Sequence, residues 1–106
     1  MCIRDRHTGL EEEGPEGYKK LGAYFAERAT SGVGMIITGG IPPSERSIVS
    51  KGEQGFTKES QIPLHQEITD AVHAAAPDCK ICMQILHAGP LAKTMNAVSP
   101  LSLIHI

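Results

Sequence analysis

Three short stretches carry the side chains with the most chemical content: "HTGLEE" at residues 7–12, "TGG" at 38–40 and "QILHAG" at 84–89. Gln84 is the most informative of these residues. It sits in "CKICMQILH", an otherwise apolar run, where an unpaired amide costs about 1–3 kcal/mol. A core glutamine bonded to neighbouring backbone satisfies that cost. So does a ligand, because a primary amide offers a donor and an acceptor side by side and complements a uracil-like ring edge such as the pyrimidine end of a flavin. Gly39 and Gly40 read first as a turn at a strand end. Their second reading is functional: a residue without Cβ admits a backbone amide close to a flat cofactor. His87 reads first as a satisfied structural histidine and second as a residue lining the pocket, and His65 and His73 read as surface residues of a helix. Cys79 and Cys82 form a single CxxC, a weak metal signal, and residues three apart on a strand point to opposite faces. The sequence therefore predicts no metal site. Glu11, Glu12 and Glu13 read as a solvated loop.

The elements that must position these residues follow from periodicity. Tyr18, Leu21, Phe25 and Ala29 recur at helical spacing and predict a helix from Tyr18 to Ser31, with Pro15 and Glu16 at its start and Gly32 at its stop. The run "VGMIITGG" at 33–40 predicts a strand buried on both faces of a parallel sheet. Residues 41–59, rich in Pro, Ser and Gly, predict a long loop. A second helix is expected over 60–76, capped by Ser60, with Pro63 in its first turn and Ile68, Val72 and Ala75 as its buried stripe. A second strand is expected over 79–87, and no element over 91–100. This β/α alternation predicts a parallel sheet. No G-x-G-x-x-G follows either strand, which argues against a dinucleotide-binding Rossmann unit. A (β/α)₈ barrel needs about 250 residues, so the expected fold is α/β, roughly the first third of such a barrel. All three chemical stretches then face its C-terminal mouth.

The ends of the chain do not fit this pattern. "MCIRDR" can be written ATG TGT ATA AGA GAC AG, whose reverse complement, CTG TCT CTT ATA CAC AT, encodes "LSLIH" and begins a further Ile codon. That is the closing hexamer "LSLIHI". The two ends are thus consistent with one DNA element read on both strands, resembling the inverted sequence that transposase-based library preparation leaves around an insert. The expectation is that residues 1–6 and 101–106 are non-native scars and that 7–100 are an internal slice of a longer barrel domain.

Composition narrows the class. With 41% hydrophobic and 21% charged residues, the chain reads as soluble and globular. A net charge of -2 argues against nucleic acid. No apolar run reaches the roughly 18 residues of a membrane span. Three cysteines are too few for a disulfide scaffold, so a cytoplasmic location is expected.

Taken in order and spacing, "HTGLEE", "KKLGAYFAERATSGVGMIITGGIPP", "ESQIPLHQEITDAVHAA" and "MQILHAG" resemble the old yellow enzyme family of FMN-dependent (β/α)₈ barrels, and within it the bacterial NADPH-dependent 2,4-dienoyl-CoA reductases. The resemblance implies a flavoprotein oxidoreductase that delivers hydride to an activated C=C bond. It implies FMN as cofactor, with FAD, a 4Fe-4S cluster and NADPH served by later parts of the protein, and an unsaturated acyl-CoA as partner. By position it implies flavin contacts at His7, Gly40 and Gln84, and no catalytic residue within this segment. The family's flavin contact just before His7 falls on Arg6, inside the opening hexamer. One departure bears on subfamily and substrate: the family carries Arg after H-x-G, and this chain has Pro90. The alternatives are another flavin barrel of the family, such as an amine dehydrogenase or demethylase, and a non-catalytic β/α module. If the segment is a slice, its sheet is left with open apolar edges. The isolated 106-residue chain is then expected to be inactive and to show no cooperative thermal unfolding; a sharp calorimetric transition would contradict this.

Overall fold

The computed structural model describes residues 2–4, 8–48 and 55–89, the first three by their backbone alone. The element order is β1 (Cys2–Arg4), α1 (Pro15–Ala29), β2 (Met35–Ile41), α2 (Ile62–Ala75) and β3 (Lys80–Ile85), with 3₁₀ turns at Leu10–Glu12, Glu45–Ser47 and Glu59–Gln61. The strands form one sheet in the order β1-β2-β3, and both pairings are parallel. Strand β1 lies within the hexamer that the sequence analysis sets aside. It occupies the sheet position expected for the strand preceding "HTGLEE", with Cys2, Ile3 and Arg4 opposite Met35, Ile36 and Ile37. Pairing at an edge requires only extended backbone with free N–H and C=O groups, which these three residues supply.

Helix α1 begins where proline is tolerated, with Pro15 in its first turn behind Gly14. Its predicted stripe is its buried face: Tyr18, Leu21, Phe25 and Ala29 are almost fully enclosed. The chain leaves the helix through Thr30, and Gly32 turns it at φ 83°, a left-handed value that favours glycine. Helix α2 starts two residues later than its predicted Ser60 cap. No side chain caps it; instead the Gln61 Oε1 accepts from the Thr57 and Lys58 backbone N–H groups at 2.8 and 3.0 Å and ties down the turn before it. Its stripe also differs at its end. Ala75 is exposed, and Ala76, extended just past the helix, packs against the core instead. The two helices cross at Gly22, where an added Cβ would lie 3.3 Å from the Ala71 Cβ and 3.5 Å from the Ile68 Cα.

The core gathers Tyr18, Leu21, Phe25 and Ala29 of α1, Ile68 and Val72 of α2, and Val33, Ile36 and Cys79 at the sheet. Both helices thus share one face of the sheet. The strands are therefore not buried on both faces, as their continuous apolar runs predict. Burial alternates along β2, and β3, an edge strand among the described residues, is half-exposed, with Ile85 at 71%. A sheet covered by helices on one side shows this alternation. The predicted loop is structured where it is described. The Ser47 Oγ accepts from the Ser44 N–H at 3.0 Å, and the Phe56 N–H donates to the Pro42 carbonyl at 2.9 Å. Residues 91–100 lie outside the described residues.

His65 departs furthest from its prediction as a surface residue. It is 8% exposed. It falls three residues before Ile68, on the same helical stripe. Its ring meets Tyr18 and Phe56 edge to face, at 5.0 and 5.1 Å between centroids, and its Nε2 lies 3.4 Å from the Gly55 carbonyl. His73 is exposed, as predicted.

Two outcomes are expected. Phe25→Ala should cost about 3–5 kcal/mol, read by urea unfolding in the longer protein expected around this segment. Burial holds the His65 pKa below its ordinary 6.5, against a smaller opposite pull from the Gly55 carbonyl. The unfolded chain therefore takes up the proton first as pH falls, so stability is full above that ordinary value and declines from there toward the depressed folded value. Stability curves between about pH 7.5 and about pH 5 should show a shallower decline for His65→Phe than for the wild type; parallel curves would contradict this.

Candidate functional site

The C-terminal ends of β2 and β3 bring two of the three predicted site residues together. Gly40 and Gln84 are direct register partners, with Ile41 opposite Ile85 just beyond them. His7, the third, lies outside the described residues. The pairing of Gly40 with Gln84 depends on an irregularity. From Ile37–Cys82 to Gly40–Gln84, β2 advances three residues while β3 advances two. Side chains alternate faces along a strand, so an unbroken β2 would set position 40 on the opposite face from position 37. The extra residue, a β-bulge, restores the phase.

The glycine pair is therefore part of a strand and its bulge, not the turn that its spacing first suggests. Thr38 holds the bulge. Its Oγ1 accepts from the Gln84 N–H at 3.1 Å and donates to the Gly39 carbonyl at 2.8 Å. One hydroxyl thus serves a donor on one strand and an acceptor on the other. This role is absent from the sequence reading, although glycine inside a strand pattern is itself a bulge signal. Past the bulge the pairing resumes, with the Leu86 N–H donating to the Ile41 carbonyl at 3.0 Å.

The Gln84 side chain is half-buried, and among the described residues no group bonds its amide. Gly40 is closely packed. A Cβ built on it would lie 2.7 Å from the Leu86 Cβ, so the Leu86 side chain takes up the space that a larger residue would fill. His87 is exposed, and its Nδ1 accepts from the Gly89 N–H at 2.9 Å. It shapes the turn after β3, in line with its structural reading, and that turn is joined to the loop after β2 by the Ala88 N–H and the Ser47 carbonyl at 3.3 Å.

Other features lie away from this edge. Cys79 is buried in the helix-side core and Cys82 is exposed; both are free thiols. The CxxC is thus divided between two environments, as a strand dictates. A cavity of about 160 Å³ lies between α2 and the sheet, lined by Thr38, His65, Ile68, Thr69, Ile81 and Met83. Neither Gly40 nor Gln84 lines it. Among the described residues no helix is long and apolar enough to cross a membrane.

At the strand ends, an amide that no described residue bonds suits a heterocycle with a donor and an acceptor on one edge. A family model described as the NADH:flavin oxidoreductase / NADH oxidase family matches residues 4–101. That match spans nearly the whole chain, and with it this protein belongs to the NADH:flavin oxidoreductase / NADH oxidase family, the flavin-dependent oxidoreductases that bind FMN.

Proposed function

We propose that the chain forms the opening portion of an FMN-binding (β/α)₈ barrel in an oxidoreductase that reduces activated C=C bonds, most similar to a 2,4-dienoyl-CoA reductase. The observation that carries this reading is the Gln84 amide, unpartnered among the described residues, beside Gly40 at the ends of two parallel strands. In parallel α/β folds, ligands sit at the C-terminal ends of the strands. The Gln84 amide fits the cofactor. The Gln84 carbonyl oxygen accepts from a ring N–H and its NH₂ donates to a ring carbonyl. The Gly40 contact rests on the resemblance alone: the space that a Cβ would take there is occupied by Leu86, whose Cβ would lie 2.7 Å away. His7, in the segment after the first strand, completes the contacts by resemblance.

Bound FMN supplies the hydride chemistry. The residues of this chain bind and orient it. By the resemblance, the proton donor falls to a later part of the protein. The same reading assigns an unsaturated acyl-CoA as substrate, NADPH as the electron source, FAD and a 4Fe-4S cluster as carriers in further domains, and a cytoplasmic location. It treats residues 1–6 and 101–106 as non-native, with β1 standing in for the family's first strand.

The test is FMN dissociation, followed by flavin fluorescence, in the full-length protein. Gln84→Leu removes two hydrogen bonds worth about 0.5–1.5 kcal/mol each. FMN affinity should fall about ten- to hundredfold, with the fold retained. Equal affinities in two folded proteins would make Gln84 an ordinary strand residue and remove the basis of the site.

A further inference from the structure

We propose that Thr38 is a positioning residue for the flavin site: its hydroxyl pins the bulge that sets Gly40 and Gln84 side by side. The inference rests on the reading of Gln84 as the amide that bonds the flavin ring. Thr38 touches no ligand in this scheme. It acts through Gln84.

Three observations converge on it. The register shift between Ile37 and Gly40 is what returns Gly40 to the sheet face of Ile37, Cys82 and Gln84. Without the extra residue every side chain beyond it would exchange faces. The Thr38 Oγ1 bridges that shift, accepting from the Gln84 N–H at 3.1 Å and donating to the Gly39 carbonyl at 2.8 Å. Thr38 is also 7% exposed, so water is poorly placed to replace either bond.

The chemistry is specific to a hydroxyl. A bulge leaves donors and acceptors of the two strands out of step, and a short side chain bearing both functions can satisfy one of each. Valine has the same shape and neither function. Serine keeps both functions and loses a methyl group. A part-buried N–H on Gln84 and carbonyl on Gly39 left without the hydroxyl favour rearrangement of the bulge. Any rearrangement turns the Gln84 amide relative to Gly40.

The experiment measures FMN dissociation by fluorescence in the full-length holoenzyme for wild type, Thr38→Val, Thr38→Ser, Gln84→Leu and the double variant. Circular dichroism confirms folding. Thr38→Val should weaken FMN about tenfold, and Thr38→Ser should stay within about threefold of wild type. In the Gln84→Leu background, Thr38→Val should add little, because two residues acting as a unit are not additive. Thr38→Ala carries the same comparison if the valine variant yields no soluble protein. Additive losses would show that Thr38 does not act through Gln84 and would overturn the proposal. So would a weakened Gln84→Leu beside an unaffected Thr38→Val, which leaves the flavin reading standing. An unaffected Gln84→Leu would instead remove the flavin reading and the Thr38 role together.

Discussion

The burial of one sheet face beneath α1 and α2 is the constraint on which the rest of this structure depends. Tyr18, Phe25, Ile36 and Val72 are almost fully enclosed and come from three different elements. Packing of this kind fixes the phase of each strand, because a strand that buries its even positions must present its odd ones elsewhere. Ile36 and Thr38 are committed to the helix side by their burial. Everything that happens at the strand ends inherits that phase. The bulge is a local correction to it, and it falls at the two glycines, where the backbone is least restricted.

Much of this architecture was legible in the sequence because it rests on periodicity. Tyr18, Leu21, Phe25 and Ala29 mark the buried face of α1 unambiguously, since no other regular structure brings those four positions together. The strands and their parallel pairing were legible from short apolar runs separated by a helix. What periodicity does not encode is which faces are covered. The runs around β2 and β3 read as doubly buried, yet helices cover one side only, and β3 is half-exposed. His65 was misread for a related reason. Its type suggested surface, while its position, three residues before Ile68, placed it on the buried stripe between Tyr18 and Phe56. Position outweighed polarity because two aromatic edges and a backbone carbonyl accommodate the ring without charging it.

The site was half legible. Gln84 stood out as an amide among apolar neighbours, and its lack of a partner among the described residues agrees with that signal. Gly40 stood out as well, but for the wrong local reason, since a glycine pair after an apolar run resembles a turn. Its true setting, a bulge inside β2, depends on which β3 residue it meets. That is a tertiary fact, and no local pattern contains it. The CxxC shows the reverse case. It is a familiar motif, and the strand alternation alone was sufficient to separate its two thiols.

Thr38 links these scales. Its side chain helps line the helix-side cavity with His65 and Met83, while its Oγ1 contacts the Gln84 backbone at the strand end. The residue therefore joins the packed core to the edge that carries the Gln84 amide. A strand end is the place in a sheet where the backbone ladder stops and side chains can serve a ligand. It is also where register is least constrained by packing. An amide that must meet a ring edge within hydrogen-bonding distance tolerates little error in direction, so a strand end that carries such a group requires something to hold its register. In this sheet one buried hydroxyl supplies such a restraint, beside the backbone pairing that resumes beyond the bulge. The backbone position of Gln84, from which its amide projects, is thereby held by the fold.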